Sequence, residues 1–169
     1  DAETIVEKLP GAISLDTFGG NIYILSSTDK TVYRYRPNAY GQEDYFTSDT
    51  TFTSPSSLTI DSSIFVLAAG GIKKFTRGAE DSFTYKGKPL SSGSLIYTDI
   101  DYTNLYVLDK TKMLAMIIDK TGNTLSEISL KGMKNPTSIA ADEEERKYTL
   151  SQITRSTRSI ISILFLHPT

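Results

Sequence analysis

The chain has 169 residues, of which 38% are apolar and 22% charged, with a net charge of −2 and neither cysteine nor tryptophan. This length and apolar content fit one folded domain with a sizeable core and exclude a disordered tail. Near-neutral charge excludes a whole-molecule electrostatic pull toward nucleic acid or anionic lipid, and the missing thiols exclude disulfides, thiolate metal sites and cysteine nucleophiles.

Along the chain the same short apolar phrases return. An inner strand ending in an acid comes first: AISLD to Asp16, SLTID to Asp61, LIYTD to Asp99 and TSIAAD to Asp142. A second strand follows each, as NIYIL (21–25), SIFVL (63–67), NLYVL (104–108) and the degraded RKYTL (146–150). Its aromatic residues, Tyr23, Phe65, Tyr106 and Tyr148, are spaced 42, 41 and 42 residues apart. Third strands are expected at TVYRYR (31–36), GIKKFT (71–76), MLAMIID (113–119) and SIISILFL (159–166), and fourth strands at EDYFTS (43–48), DSFTYK (81–86) and TLSEISL (124–130). These runs are short and rich in Val, Ile, Thr, Tyr and Phe. Turn residues bound them, and none sustains helical spacing. The longest apolar run, ISILFL near the C-terminus, is far short of the ~18 residues of a membrane span.

Four strands in each unit of about 42 residues is the signature of a β-propeller blade. The expectation is an all-β, single-domain propeller with blades at about 11–49, 55–87, 93–131 and 136–166. The last unit lacks an outer strand, which TIVEKL at 4–9 can supply by covering the edge of SIISILFL. A closed four-bladed monomer, a homodimer completing a larger ring, and a portion of a longer propeller all satisfy this pattern. The chain starts at Asp1 with neither Met nor signal peptide, which reads as a mature form or an excised domain.

The phrases FGGNIYILSSTDKTVYRYRP, SIFVLAAGGIKKFTRG and NLYVLDKTKMLAMIIDKTGN resemble the repeats of NHL-type and related TolB-like bacterial propellers over about 1–145. The last unit, KYTLSQITRSTRSIISIL, keeps the strand rhythm but lacks the Asp and Gly turn. The resemblance implies a binding platform rather than an enzyme, in the cell-surface world or attached to a larger bacterial protein.

The repeat register sorts the loops onto two edges. One collects acids, including Asp16, Asp61, Asp99, Asp101, Asp119, Asp142 and Glu143. The other collects Lys30, Lys88, Lys110, Lys112, Lys131, Lys134 and Arg155, a candidate docking edge for an acidic protein or peptide. Alternating oxygens at Asp99, Asp101 and Asn104 in TDIDYTN could hold Ca²⁺, although the same residues build ordinary turns. DEEER (142–146) reads as a solvated loop, His167 near the C-terminus is a poor base, and no nucleophile motif is present. Tyr40, Phe52 and Tyr102 fall in expected turns, where they would serve the alternative of a glycan-binding module. A small propeller hydrolase or lyase is the third reading.

Overall fold

A computed structural model describes residues 9, 11–37, 43–145, 147–153 and 158–164. Among the described residues fifteen strands form four antiparallel sheets in chain order, and none of these residues is helical. The first sheet runs β1 (Ala12–Phe18), β2 (Asn21–Ser26), β3 (Thr31–Tyr35) and β4 (Glu43–Asp44). The second runs β5 (Ser57–Ile60), β6 (Ile64–Ala68), β7 (Gly71–Thr76) and β8 (Ala79–Glu80). The third runs β9 (Leu95–Tyr97), β10 (Asn104–Asp109), β11 (Leu114–Asp119) and β12 (Thr124–Ser129). The fourth has three strands: β13 (Pro136–Asp142), β14 (Lys147–Ile153) and β15 (Arg158–Leu164).

The sheets stack face to face in chain order and bury their apolar side chains between them. Tyr23, Leu25 and Val32 meet Leu58, Ile60, Ile64, Val66 and Phe75, with Phe52 from the connecting segment filling the same layer. Phe65, Leu67 and Ile72 meet Ile96, Leu105, Val107, Met116 and Ile118. Tyr106, Leu108, Ala115 and Ile117 meet Ile139, Ala141 and Leu150. The second strand of the two middle sheets is apolar on both faces because it is sandwiched on both sides.

Several expectations change. The outer strand at 43–48 shrinks to the two-residue β4, and the one at 81–86 gives way to β8 just before it, with only the Asp81 amide of its backbone still bonding β7, at Lys74 O. Short outer strands limit the exposed backbone edge available for wrong pairing. The fourth unit is also out of phase with the others. Leu25, Leu67 and Leu108 each face the following sheet, whereas Leu150, which the aromatic spacing makes their counterpart, faces the preceding one. A one-residue slip turns a side chain to the other face, so Leu150 faces back although the sequence spacing continues.

The ring expected of a four-bladed monomer is not closed. β1 contacts β5, β5 contacts β9, and β9 contacts β13, but among the described residues the fourth sheet touches no part of the first. The segment TIVEKL, expected to complete the last sheet, lies outside the described residues except for Leu9.

Candidate functional site

The inner strands β1 and β5 present small polar side chains at alternate positions to the next sheet. Leu58 N donates to Ser14 Oγ at 3.1 Å, and Ile60 N donates to Asp16 Oδ2 at 3.0 Å. One interface on, Ile96 N donates to Ser57 Oγ at 3.2 Å and Thr98 N to Thr59 Oγ1 at 3.0 Å. Each inner strand has one edge without a neighbouring strand, and these side chains satisfy the amides pointing that way.

At the third interface the direction reverses, because β9 carries Leu95 and Tyr97 where β5 has Ser57 and Thr59. Glu143 reaches back from the fourth sheet: its Oε2 accepts from Thr103 N and Thr103 Oγ1, both at 2.8 Å. Its Oε1 accepts from Asn104 N at 3.0 Å and from the Tyr106 hydroxyl at 2.6 Å. Burial pushes this carboxyl up, but the bonds from Thr103, Tyr106 and Asn104 outweigh it and hold Glu143 below its ordinary value. Beside it Tyr97, Tyr102 and Tyr106 stack edge to face, and the Tyr102 hydroxyl donates to Ala141 O at 2.5 Å. Burial and then the hydrogen bond with Tyr102 raise the Tyr97 phenol well above its usual range.

Most acids expected on one edge are engaged in such structural roles. Asp61 accepts from Ser63 N at 2.9 Å and pairs with Lys120 Nζ at 2.6 Å. Burial opposes its ionisation, yet Lys120 and Ser63 prevail and lower its pKa. Asp119 closes its turn by accepting from Thr121 N, Asn123 N and Asn123 Nδ2, and these bonds lower its pKa. Asp142 accepts from Glu145 N. In the expected calcium loop, Asp99 accepts from Ile100 N at 2.6 Å, Asp101 is exposed, and Asn104 Nδ2 donates to Thr103 Oγ1 and Glu143 Oε1. The loop therefore carries turn bonds and part of the Glu143 clamp. Among the described residues no three acidic, His or Cys side chains converge where a metal could sit.

The basic residues occupy the opposite edge, where turns between second and third strands meet the segments joining sheets. Phe52 N donates to Lys30 O, Leu130 N to Met113 O, and Lys134 N to Gln152 Oε1. Lys88 is neutralised by Glu127 at 2.8 Å, and Lys112 contacts Pro89 O and lies 3.8 Å from Asp109. The edge's own acids are occupied: Asp29 by Ser26, and buried Asp109 by Ser91 N and Lys112 N. Lys30, Lys110, Lys131 and Lys134 have no ion-pair partner among the described residues. Arg155 and Tyr40 lie outside the described residues, as does His167.

Two of the aromatic residues expected to be available for sugar stacking are committed to packing. Phe52 is a core residue between the first two sheets, and Tyr102 is held by Tyr97, Tyr106 and Ala141. Two depressions adjoin the segment 44–47 instead. A groove of about 560 Å³ is lined by Thr31, Asp44, Phe46, Thr47, Ser48, Asp49, Thr50 and Thr51. A cleft of about 410 Å³ between the first two sheets is lined by Tyr23, Arg34, Asp44, Tyr45, Ser62 and Arg77, among others. Sequence reasoning missed both, because each depends on how far apart the short outer strands leave neighbouring sheets. The clamps were also missed, although Ser14/Asp16 and Ser57/Thr59 stand as polar pairs two residues apart on inner strands.

No family model and no curated protein matches the chain. Among solved structures it is similar to a chain in the crystal structure of a nidogen/laminin complex, with a TM-score of 0.62 and 15% identity over 90% of this chain and 65% of that one. It is likewise similar to a chain of Kuenenia stuttgartiensis hydrazine synthase, with a TM-score of 0.67 and 15% identity over 95% of this chain and 48% of that one. Both neighbours are of β-propeller type, and the chain spans about two thirds of the first and half of the second. At this identity the likeness shows the fold alone, a propeller-like stack of antiparallel sheets.

Proposed function

We propose that the chain is a non-catalytic, propeller-type interaction module of four blades, built from NHL-like repeats, that binds an acidic protein or peptide through its lysine edge. One observation carries this reading. Four lysines, Lys30, Lys110, Lys131 and Lys134, share an edge and have no ion-pair partner among the described residues, and they outnumber Asp29 and Asp109 there, which keep their charge although hydrogen-bonded. Uncompensated charge on one edge focuses a field that draws in an opposite charge even when the net charge is small. That a structural neighbour belongs to a protein complex is consistent with protein recognition. Lys88 and Lys112 flank the edge in paired form and would exchange partners on binding.

A glutamate-rich peptide is the probe. Binding measured by calorimetry at low salt should weaken about tenfold in a Lys110→Glu/Lys134→Glu variant and weaken further with added salt, as screening of exposed charge predicts. Affinity unchanged by both charge reversal and salt overturns the reading. A glycan-binding role is the second reading, favoured by the hydroxyl- and carboxylate-lined groove around Phe46. Protection of Phe46 and Thr47 resonances by oligosaccharide, with no peptide response, would select it.

A further inference from the structure

The shortness of β4 opens a site on the side of the molecule away from the lysines. After Asp44 the chain leaves the first sheet and crosses to the second, where Thr47 N and Thr47 Oγ1 both donate to Gly78 O, at 3.0 and 3.2 Å. Tyr45 and Phe46 are carried with it, Tyr45 edge to face with Tyr23 and Phe46 against Phe52 and Phe75. This crossing segment bounds the cleft of about 410 Å³, which Phe18 and Tyr23 line from the first sheet and Ser62 and Arg77 from the turns after β5 and β7. Those turns belong to the edge opposite the lysines. A cleft of this size, with aromatic walls and a few polar groups, has the make-up of a small-molecule site.

Arginines set its charge. Arg34 pairs across the sheet with Tyr23, and its Nη2 donates to Glu43 Oε2 at 2.9 Å, an oxygen that Arg36 Nε also meets at 3.0 Å. One carboxylate thus serves two guanidinium groups, and Arg34 Nε is buried without an acceptor among the described residues. Arg77 is exposed and has no ion-pair partner among them. Asp44 also lines the cleft and is exposed. Arg34, Arg36 and Arg77 against Glu43 and Asp44 leave one positive charge in excess. Asp16 keeps its charge but is turned to Thr59 and Ile60 and is not part of the lining.

We propose that this cleft binds a small monocarboxylate carrying an aromatic ring, with the carboxylate held by Arg34 and Arg77 and the ring against Phe18, Tyr23 and Phe46. Guanidinium forks match the two oxygens of a carboxylate, and aromatic walls favour a flat apolar body. One excess positive charge suits a monoanion, whereas the second charge of a phosphate group would meet Asp44 with nothing to offset it. The ligand also gives the under-used Arg34 guanidinium a second acceptor.

Phenylacetate and indole-3-acetate are the probes, titrated into the full chain by calorimetry and amide NMR. Both should bind with a Kd of about 1 mM or tighter, as ligands of this size allow, and should shift the amide resonances of Thr47, Ser62 and Arg77. 2-Phenylethanol, which lacks the charge, and acetate, which lacks the ring, should bind at least tenfold more weakly. Arg77→Gln alters an exposed turn and should keep the parent circular dichroism while weakening phenylacetate at least tenfold, and Arg34→Gln should do the same from the other wall. Asp44→Asn should strengthen binding about twofold by removing a like charge at an exposed position. Lys110→Glu/Lys134→Glu should leave it unchanged, which separates this site from peptide binding by the lysine edge. Absence of saturable binding of either probe at ten times that concentration, phenyl phosphate binding tighter than phenylacetate, affinity indifferent to both arginine substitutions, or shifts confined to other residues would each overturn the proposal.

Discussion

Removing the Glu143 carboxylate tests the argument that polar clamps hold neighbouring sheets together. In Glu143→Ala the two backbone amides of Thr103 and Asn104 and the hydroxyls of Thr103 and Tyr106 lose their common acceptor. Hydrogen bonds to a charged group contribute roughly 1.5–3 kcal/mol each in a buried setting. Here the site is half open, the bonds share one carboxylate, and water can replace part of them, so the sum is about 2–3 kcal/mol. With an m-value of about 2 kcal/mol/M in urea, the midpoint should fall by about 1 M with no change in slope. Glu143→Gln keeps the shape but turns an NH₂ toward groups that are themselves donors, and should lose about 1–2 kcal/mol. Tyrosine fluorescence and circular dichroism serve as probes, since the chain has ten tyrosines and no tryptophan. The sign of the pH dependence is fixed: the folded-state pKa is depressed below its ordinary 4.5, so the stabilisation is fully present above that value. It is lost as pH falls through the depressed pKa, and the gap between parent and Glu143→Gln should be constant at neutral pH and narrow below about 4.5. A gap that persists undiminished into strong acid, or a Gln variant as stable as the parent, would refute the clamp.

Other perturbations address separate parts of the fold. Leu67→Ala empties a fully buried position between the second and third sheets and should cost about 2–5 kcal/mol by urea denaturation. Gly78→Ala places a Cβ 2.6 Å from Tyr45 O at a backbone angle φ of 84°, which should lower stability by about 1–3 kcal/mol and disturb the cleft beside Arg77. Lys120→Met leaves Asp61 without its cation; because that carboxyl is held below its usual pKa, the loss should appear at neutral pH and diminish in acid, as a melting series from pH 7 to pH 3 would register. Lys131→Glu should leave the melting temperature within about 2 °C of the parent, since the side chain is exposed and unpaired among the described residues, while reducing affinity for a glutamate-rich peptide.

The strands were legible because period-two alternation and β-branched residues report directly on burial. Inner, second and third strands fall close to where AISLD, SIFVL and MLAMIID place them. Of the outer strands TLSEISL was found as β12, whereas EDYFTS and DSFTYK were not, because Asp, Ser and Tyr in DSFTYK alternate equally well in a strand or an extended loop, and the decision rests on partners distant in sequence. The fourth unit misled for a sharper reason. An aromatic residue at the expected spacing fixes position along the chain but not which face it occupies, and the pairing of Ile139 with Leu150 shows the phase shifted. Of the basic residues, sequence grouped Lys30, Lys88 and Lys110 by their loops, but could not show that Glu127 pairs with Lys88 while Lys30 and Lys110 have no ion-pair partner among the described residues.

The clamps also explain why inner strands look less apolar than their position suggests. A strand at the inner end of a stacked sheet has one edge with no strand beside it, and its amides there face a crowded interior rather than water. Leaving one such buried donor unsatisfied costs on the order of 1–3 kcal/mol. Ser14, Asp16, Ser57 and Thr59 remove that cost by accepting from the next strand's amides, so a purely apolar inner strand would pack better and still be less stable. The solution has a direction, from each sheet to its successor. It fails at the third interface, where β9 carries Leu95 and Tyr97 at the positions that Ser57 and Thr59 hold in β5. Glu143 ties the third and fourth sheets differently, by accepting from the fourth sheet's side the amides of Thr103 and Asn104 at the start of β10. A variant that restores the earlier phase by deleting one residue from the turn at 143–145 should therefore remove both Glu143's function and the contacts of Leu150, and lose more stability than Glu143→Ala alone.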